Sequence, residues 1–169
     1  MTIKSLKIPP QIYVSKTKPN KNKIKKISKK NSHYRKPRGG LWTSTMYKNS
    51  QGNYTSEWIE WADGNISQYE KDSYYVWKCT TNKKCTIVEL NNKKDVEEFG
   101  HLTKNRFDEE IYEFNWNIND IDGIWLTITG TRNLTGILTS NKYSMSSWDV
   151  ESIVWSNWVF DSVEKLRKL

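Results

Sequence analysis

Between Met1 and Ser56 the chain has no acidic residue. That stretch carries fourteen Lys or Arg, while the remainder carries thirteen against nineteen Asp or Glu, so the net +8 divides into +14 and −6. Such asymmetry points to contact with a polyanion. No apolar run approaches the about 20 residues that span a bilayer, and Met1 to Pro10 lacks the apolar centre of a secretion signal. The expectation is a cytoplasmic protein with no membrane partner. Histidine and cysteine are scarce, two of each. That argues against a histidine-based triad and leaves too few ligands for a zinc site, so no metal is expected. There is no Walker loop, dinucleotide GxGxxG, nucleophile elbow or HExxH, and no internal repeat.

Aromatics are plentiful: nine Trp, nine Tyr and four Phe in 169 residues. A chain of this length forms one domain, 1–169, and its core must be largely aromatic, with indole and phenol groups that need partners. QIYVSK, GGLWTST, SYYVWKCT, CTIVEL, DGIWLTITG and DVESIVWSNWVF read as strands. SEWIEWADG reads as a helix capped by Ser56, with Trp58 and Trp61 on one face and Gly64 at its end. NKKDVEEFGHL and the closing SVEKLRKL are further helix candidates. About six or seven strands with two or three short helices, not regularly alternated, give an α+β fold with a mixed or antiparallel split sheet. Cys79 and Cys85 bracket the polar TTNKK. They are expected to face each other across a hairpin as free thiols.

Lys16 to Arg38 holds eleven basic residues and only Ile24 and Ile27 as aliphatic anchors. It reads as a mobile basic segment, either a solvated charge run or a phosphate-contacting one. Lys25, Lys26, Lys29, Lys30 and Arg35 are its candidate nucleic-acid contacts. The KPRGGLWTST that follows places two glycines, which permit a bend or a close approach, before Trp42 and the hydroxyls of Thr43, Ser44 and Thr45. In SSWDVESIVW, Asp149 and Glu151 are two apart, so on a strand they share a face. One of two neighbouring carboxylates would then have a raised pKa. The alternative is an edge strand with both acids in water or paired with lysines.

TST at Thr43 to Thr45 and DVE at Asp149 to Glu151 resemble the second and third motifs of mono-ADP-ribosyltransferases, an aromatic-hydroxyl strand and a late Gln/Glu-x-Glu. GGLWTST, SEWIEW, DGIWLT and WDVES together are similar to uncharacterised viral and bacterial proteins with this kind of fold. The resemblance spans Gln11 to Trp158. It implies an ADP-ribosyltransferase-like split sheet, with the two motif strands adjoining across a cleft, and NAD as substrate. It implies Glu151 as the carboxylate that stabilises an oxocarbenium-like state, as in glycoside cleavage, and Asp149 as the group that orients or deprotonates a protein or nucleic-acid acceptor. Ser44 and Thr45 would hold the ribose or position Glu151. Gly39 and Gly40 would admit a pyrophosphate beside Arg38, and Trp42 would shape the nicotinamide pocket or pack in the core. Glu151→Gln would stop turnover and leave folding intact. The first motif departs from the family: Val14 stands where it carries Arg or His, leaving Tyr13, Ser15, His33, Arg35 or Arg38 as substitutes. A degenerate member that binds without reacting, and a basic non-catalytic nucleic-acid-binding or structural viral protein, are the competing readings. A viral member would work in the host-cell cytosol.

Overall fold

A computed structural model describes residues 3–28, 37–105, 107–114, 120–135, 139–140 and 142–169. The chain opens with β1 (Ile3–Lys7), β2 (Gln11–Ser15), β3 (Lys25–Ser28), β4 (Arg38–Thr45) and the short pair β5 (Tyr47–Lys48) and β6 (Tyr54–Thr55). Helices α1 (Glu57–Asn65) and α2 (Gln68–Lys71) lead into β7 (Tyr75–Thr80), β8 (Lys84–Leu90) and α3 (Lys93–Phe99). The hairpin β9 (Gly100–Lys104) and β10 (Glu110–Phe114) follows, then β11 (Gly123–Leu126), α4 (Ile128–Leu134), β12 (Ser152–Trp155) and β13 (Ser162–Lys168). The fold is α+β with a mixed, largely antiparallel sheet. Among the described residues nine strands join in one sheet, ordered β1-β8-β11-β12-β4-β2-β7-β13 with β3 also on β4. Among the described residues only β8 and β11 pair in parallel.

The strand that joins the two halves is β4. Its Leu41 to Thr43 pair with β12, while its Ser44 and Thr45 pair with β2 on the other edge. The sheet is therefore continuous through one long strand that changes neighbour, where a split sheet was expected, and the two motif strands β4 and β12 are hydrogen-bonded neighbours rather than facing each other across a cleft. Alternation along the strands fills two cores, because successive side chains point to opposite faces. Leu41, Ile87, Ile153 and Trp155 pack on one face with Cys79, Cys85 and Phe160. Val88, Leu90, Ile124, Leu126, Val154 and Trp148 pack on the other, closed by Val96 of α3 and Leu134 of α4. All four residues of β12 are buried, as a central strand covered on both faces requires. A third cluster seats Ile59 of α1 on Ile12 and Val76. Each fully buried large apolar side chain contributes about 1.5–3 kcal/mol.

Both glycines of the GGLW stretch have positive φ, +93° at Gly39 and +67° at Gly40. A Cβ at Gly39 would lie 2.4 Å from the carbonyl oxygen of Lys26, and one at Gly40 2.5 Å from Val154 Cγ2. The close approach anticipated at these glycines is that of β3 and β12. The irregular register of β3 on β4 fits such a bulge.

Several elements differ from the expectation. The SVEKLRKL stretch is strand β13, paired to β7, because its good helix formers are outweighed by ladder bonds along an open edge. Just before β13, the Asp161 carboxylate accepts the Asn82 N–H at 2.8 Å. In DGIWLTITG the strand stops at Leu126, since the Thr127 hydroxyl accepts the Gly130 N–H and caps α4. Strands β7 and β8 do not form a hairpin: β7 pairs with β2 and β13, β8 with β1 and β11. Cys79 and Cys85 share one core as free, buried thiols, pushed by burial to about 12 and about 11. Helix α1 has its Ser56 cap, yet it buries Ile59 and Ala62 and runs through Gly64. Trp58 and Trp61 stack on each other at 5.0 Å on its half-buried side. Part of the basic segment is also anchored. Pro19 and Ile27 are buried, and β3 is paired to β4.

Candidate functional site

Strand β12 begins at Ser152, one residue after the point where Glu151 would extend the ladder against Thr45. The Glu151 side chain takes over there. Its Oε2 accepts the Thr45 backbone N–H at 2.9 Å and the Ser44 hydroxyl at 2.8 Å. Its Oε1 accepts the Thr45 hydroxyl at 2.8 Å and the Trp125 indole N–H at 2.5 Å. The carboxylate is 1% exposed and holds four donors. Burial pushes its pKa up from the ordinary glutamate value, and the hydrogen bonds from Thr45, Ser44 and Trp125 oppose that rise. Thr45 and Trp125 are the half-buried members of this cage, and Ser44 is wholly buried.

From the other side, Glu57 at the start of α1 accepts the Glu151 backbone N–H at 2.9 Å. Tyr47 donates to Glu60 at 2.5 Å. Its phenol is pushed well up by burial, by that bond and by the charges of Glu60, Glu57 and Glu151, so it stays protonated. Below the cage lies an uncharged network. The Thr43 hydroxyl donates to Gln11 at 2.8 Å and accepts the Trp155 indole N–H at 2.7 Å. The Gln11 amide donates to the Pro9 carbonyl and to Thr45 Oγ1.

The structure thus brings Ser44, Thr45 and Glu151 together. Asp149 does not join them on a strand: it precedes β12 in a bend, exposed, with φ 61°. The shared-face geometry expected of Asp149 and Glu151 fails because the strand begins only at Ser152. Tyr13 and Ser15 lie on β2, on the face that also carries Gln11. Ser15 is bonded locally to Thr17, and its carbonyl accepts the Trp77 indole N–H at 3.2 Å. Trp42 donates to the Gly39 carbonyl and meets Trp148 edge-on at 4.8 Å, within the core. Arg38 opens β4 opposite Ser28. Lys25 and Lys26 are exposed on β3. Lys29, Lys30, His33 and Arg35 lie outside the described residues. His101 is exposed on β9, 3.5 Å from Glu113.

Trp125, Glu57 and Gln11 were not among the candidate residues. The signal for Trp125 was a Trp on an expected strand, DGIWLTITG, whose indole N–H needed a partner. Glu57 carried a weaker one, an acid at the first position of a capped helix. Among the described residues no group of three or more His, Cys, Asp or Glu is arranged to hold a metal ion. No helix among them is long and apolar enough to cross a membrane.

Comparison with protein-family models, curated proteins and solved structures finds no match to the chain.

Proposed function

We propose that this protein binds NAD and acts as an ADP-ribosyltransferase-like enzyme, with Glu151 as its catalytic carboxylate and the sheet an ADP-ribosyltransferase-like fold. One observation carries the reading: residues 107 positions apart, Ser44 and Glu151, meet at 2.8 Å. The resemblance ties these two motifs together, and β4 and β12 set them side by side.

In the proposed step the bond between ribose C1′ and the nicotinamide nitrogen breaks, and its electron pair leaves with nicotinamide. The acceptor's nucleophile then bonds to C1′ and gives up a proton. An ionised Glu151 stabilises the cation between these events and accepts a hydrogen bond from the ribose 2′-hydroxyl. Two of its present donors are hydroxyls, which rotate; the Thr45 amide and the Trp125 indole are fixed in direction. A ribose hydroxyl therefore enters in place of the Thr45 hydroxyl, on the half-buried side of the cage. Asp149, exposed two residues earlier, takes the acceptor's proton. Gly39 and Gly40 have no part in this scheme, since strand packing accounts for both.

The test is release of nicotinamide from NAD by the purified protein, beside NAD binding measured by calorimetry. Wild type should do both, and Glu151→Gln, verified as folded by circular dichroism, should lose about 10²-fold or more in rate. A wild type that neither binds NAD nor releases nicotinamide sinks the reading. Binding without release leaves a degenerate, NAD-holding member.

A further inference from the structure

The half of the sheet formed by β2, β7 and β13 presents a second surface; it carries Tyr13 and Ser15, first-motif candidates that the NAD step proposed above does not use. Register places Tyr13, Trp77 and Lys165 in one row, and Ser15, Tyr75 and Lys168 in the next. Directly opposed residues of antiparallel strands point to the same face. This face therefore carries aromatic rings and ammonium groups together. Glu164 falls in the row of Ile12 and Lys78, on the opposite face, and pairs with Lys78 at 3.7 Å. No carboxylate side chain from these three strands shares the face with the rings. The opposite face is occupied by α1, through Ile59 on Ile12 and Val76.

The Tyr75 ring carries a cation over its flat side. Lys165 Nζ lies 3.6 Å from its centroid and 5.8 Å from that of Trp77. Trp77 supports Tyr75 edge-on at 6.1 Å. Lys16, just past the end of β2, lies over Tyr74 at 5.3 Å. Lys165, Lys168 and Lys16 are exposed, and Tyr13 and Tyr75 are half-buried.

We propose that this face binds single-stranded nucleic acid, stacking a base on Tyr75 and neutralising phosphates with Lys165 and Lys168. Base stacking on an aromatic beside a cationic track is the chemistry such strands require. An acidic peptide would use the lysines and leave the ring face idle. A duplex would keep its bases stacked on one another. Lys165 releases the ring by swinging to the phosphate, a shift within the reach of its flexible stem.

The experiment is fluorescence-anisotropy titration of a labelled oligothymidylate of about 12 nucleotides, without NAD, at two salt concentrations. A failure of NAD turnover therefore leaves its result untouched. Wild type should bind with a marked salt slope. Lys165→Gln with Lys168→Gln should weaken binding at least about five-fold and reduce the slope by about 1.4, from about 0.7 per phosphate contact on single strands. Both lysines are exposed, so the fold survives their loss. Tyr75→Ala should weaken binding by a similar factor at unchanged slope. Lys83→Gln with Lys84→Gln, the same charge change at the β7–β8 turn, should have the smaller effect, and an unlabelled duplex of equal length should compete poorly. Absence of wild-type binding, equal losses in the two double variants, or equal competition by the duplex would overturn the proposal.

Discussion

Two polar clusters sit two residues apart on β4, and only one is charged. Around Thr43 each buried group meets a neutral partner of the right kind: a hydroxyl gives to an amide oxygen and takes from an indole. Around Glu151 the same strand gives a carboxylate three donors, and Trp125 of β11 gives the fourth. Desolvation of a neutral network is offset bond by bond. Desolvation of a carboxylate is offset only when every donor is in place, so the charged cluster depends on a distant segment, β11, as well as on β4. A fold that needed only a plug at the end of β12 would be served by a neutral residue. The function proposed above is placed on the buried acid for that reason.

Substitutions can pull this contrast apart, and the greatest loss is expected from Glu151→Leu. It leaves the Thr45 amide and the Trp125 indole buried or half-buried with no acceptor, at about 1–3 kcal/mol each. Urea denaturation should show stability falling by about 2–6 kcal/mol; a loss under about 1 kcal/mol would mean that water or a shifted loop satisfies both donors.

Glu151→Gln comes next, and here the structure revises the expectation of a silent change. Whichever way the amide is turned, its NH₂ meets either the Trp125 indole N–H or the Thr45 backbone N–H, and neither can accept. The cost should be about 1–3 kcal/mol, visible as a lower urea midpoint with an unchanged slope. Adding Trp125→Phe to Glu151→Gln removes one of the opposed donors and should recover part of that loss.

Thr43→Val tests the neutral cluster. It orphans the Trp155 indole N–H and should cost about 1–2 kcal/mol, whereas Thr43→Ser keeps the hydroxyl and should cost less. If Thr43→Val proved harmless, the Gln11–Thr43–Trp155 network would not contribute to stability.

The smallest expected effect distinguishes the clusters by charge. Because burial raises the Glu151 pKa, the folded state keeps a proton that the unfolded state has already lost. Stability should therefore fall as pH rises from the ordinary glutamate value through the raised one, then level off. Thermal melts from about pH 4 to about pH 7 should show a shallower decline in Glu151→Gln than in wild type. Thr43→Val should keep the wild-type pH profile, since nothing in its cluster titrates. Parallel profiles for wild type and Glu151→Gln would place the titrating group elsewhere.

Much of this was legible in the chain before any coordinates. QIYVSK, GGLWTST, SYYVWKCT and CTIVEL were legible as strands, because a strand leaves a local pattern of β-branched and aromatic residues. Ser56 marked α1, because a cap is made by neighbours in sequence. The composition alone required partners for many indoles. Tertiary structure decided the rest. SVEKLRKL has the residues of a helix and became β13, since the open edge of β7 offered a ladder of bonds that local propensity could not match. The meeting of Ser44 with Glu151 was suggested by a family likeness, but Trp125 and Glu57 could not be read from any spacing. They reach Glu151 only because β11 lies beside β12 and α1 begins beside the bend before it. Which face a side chain takes is a local property with a period. Which residue waits on that face depends on strand order, and strand order is set by long-range pairing that leaves no periodic mark.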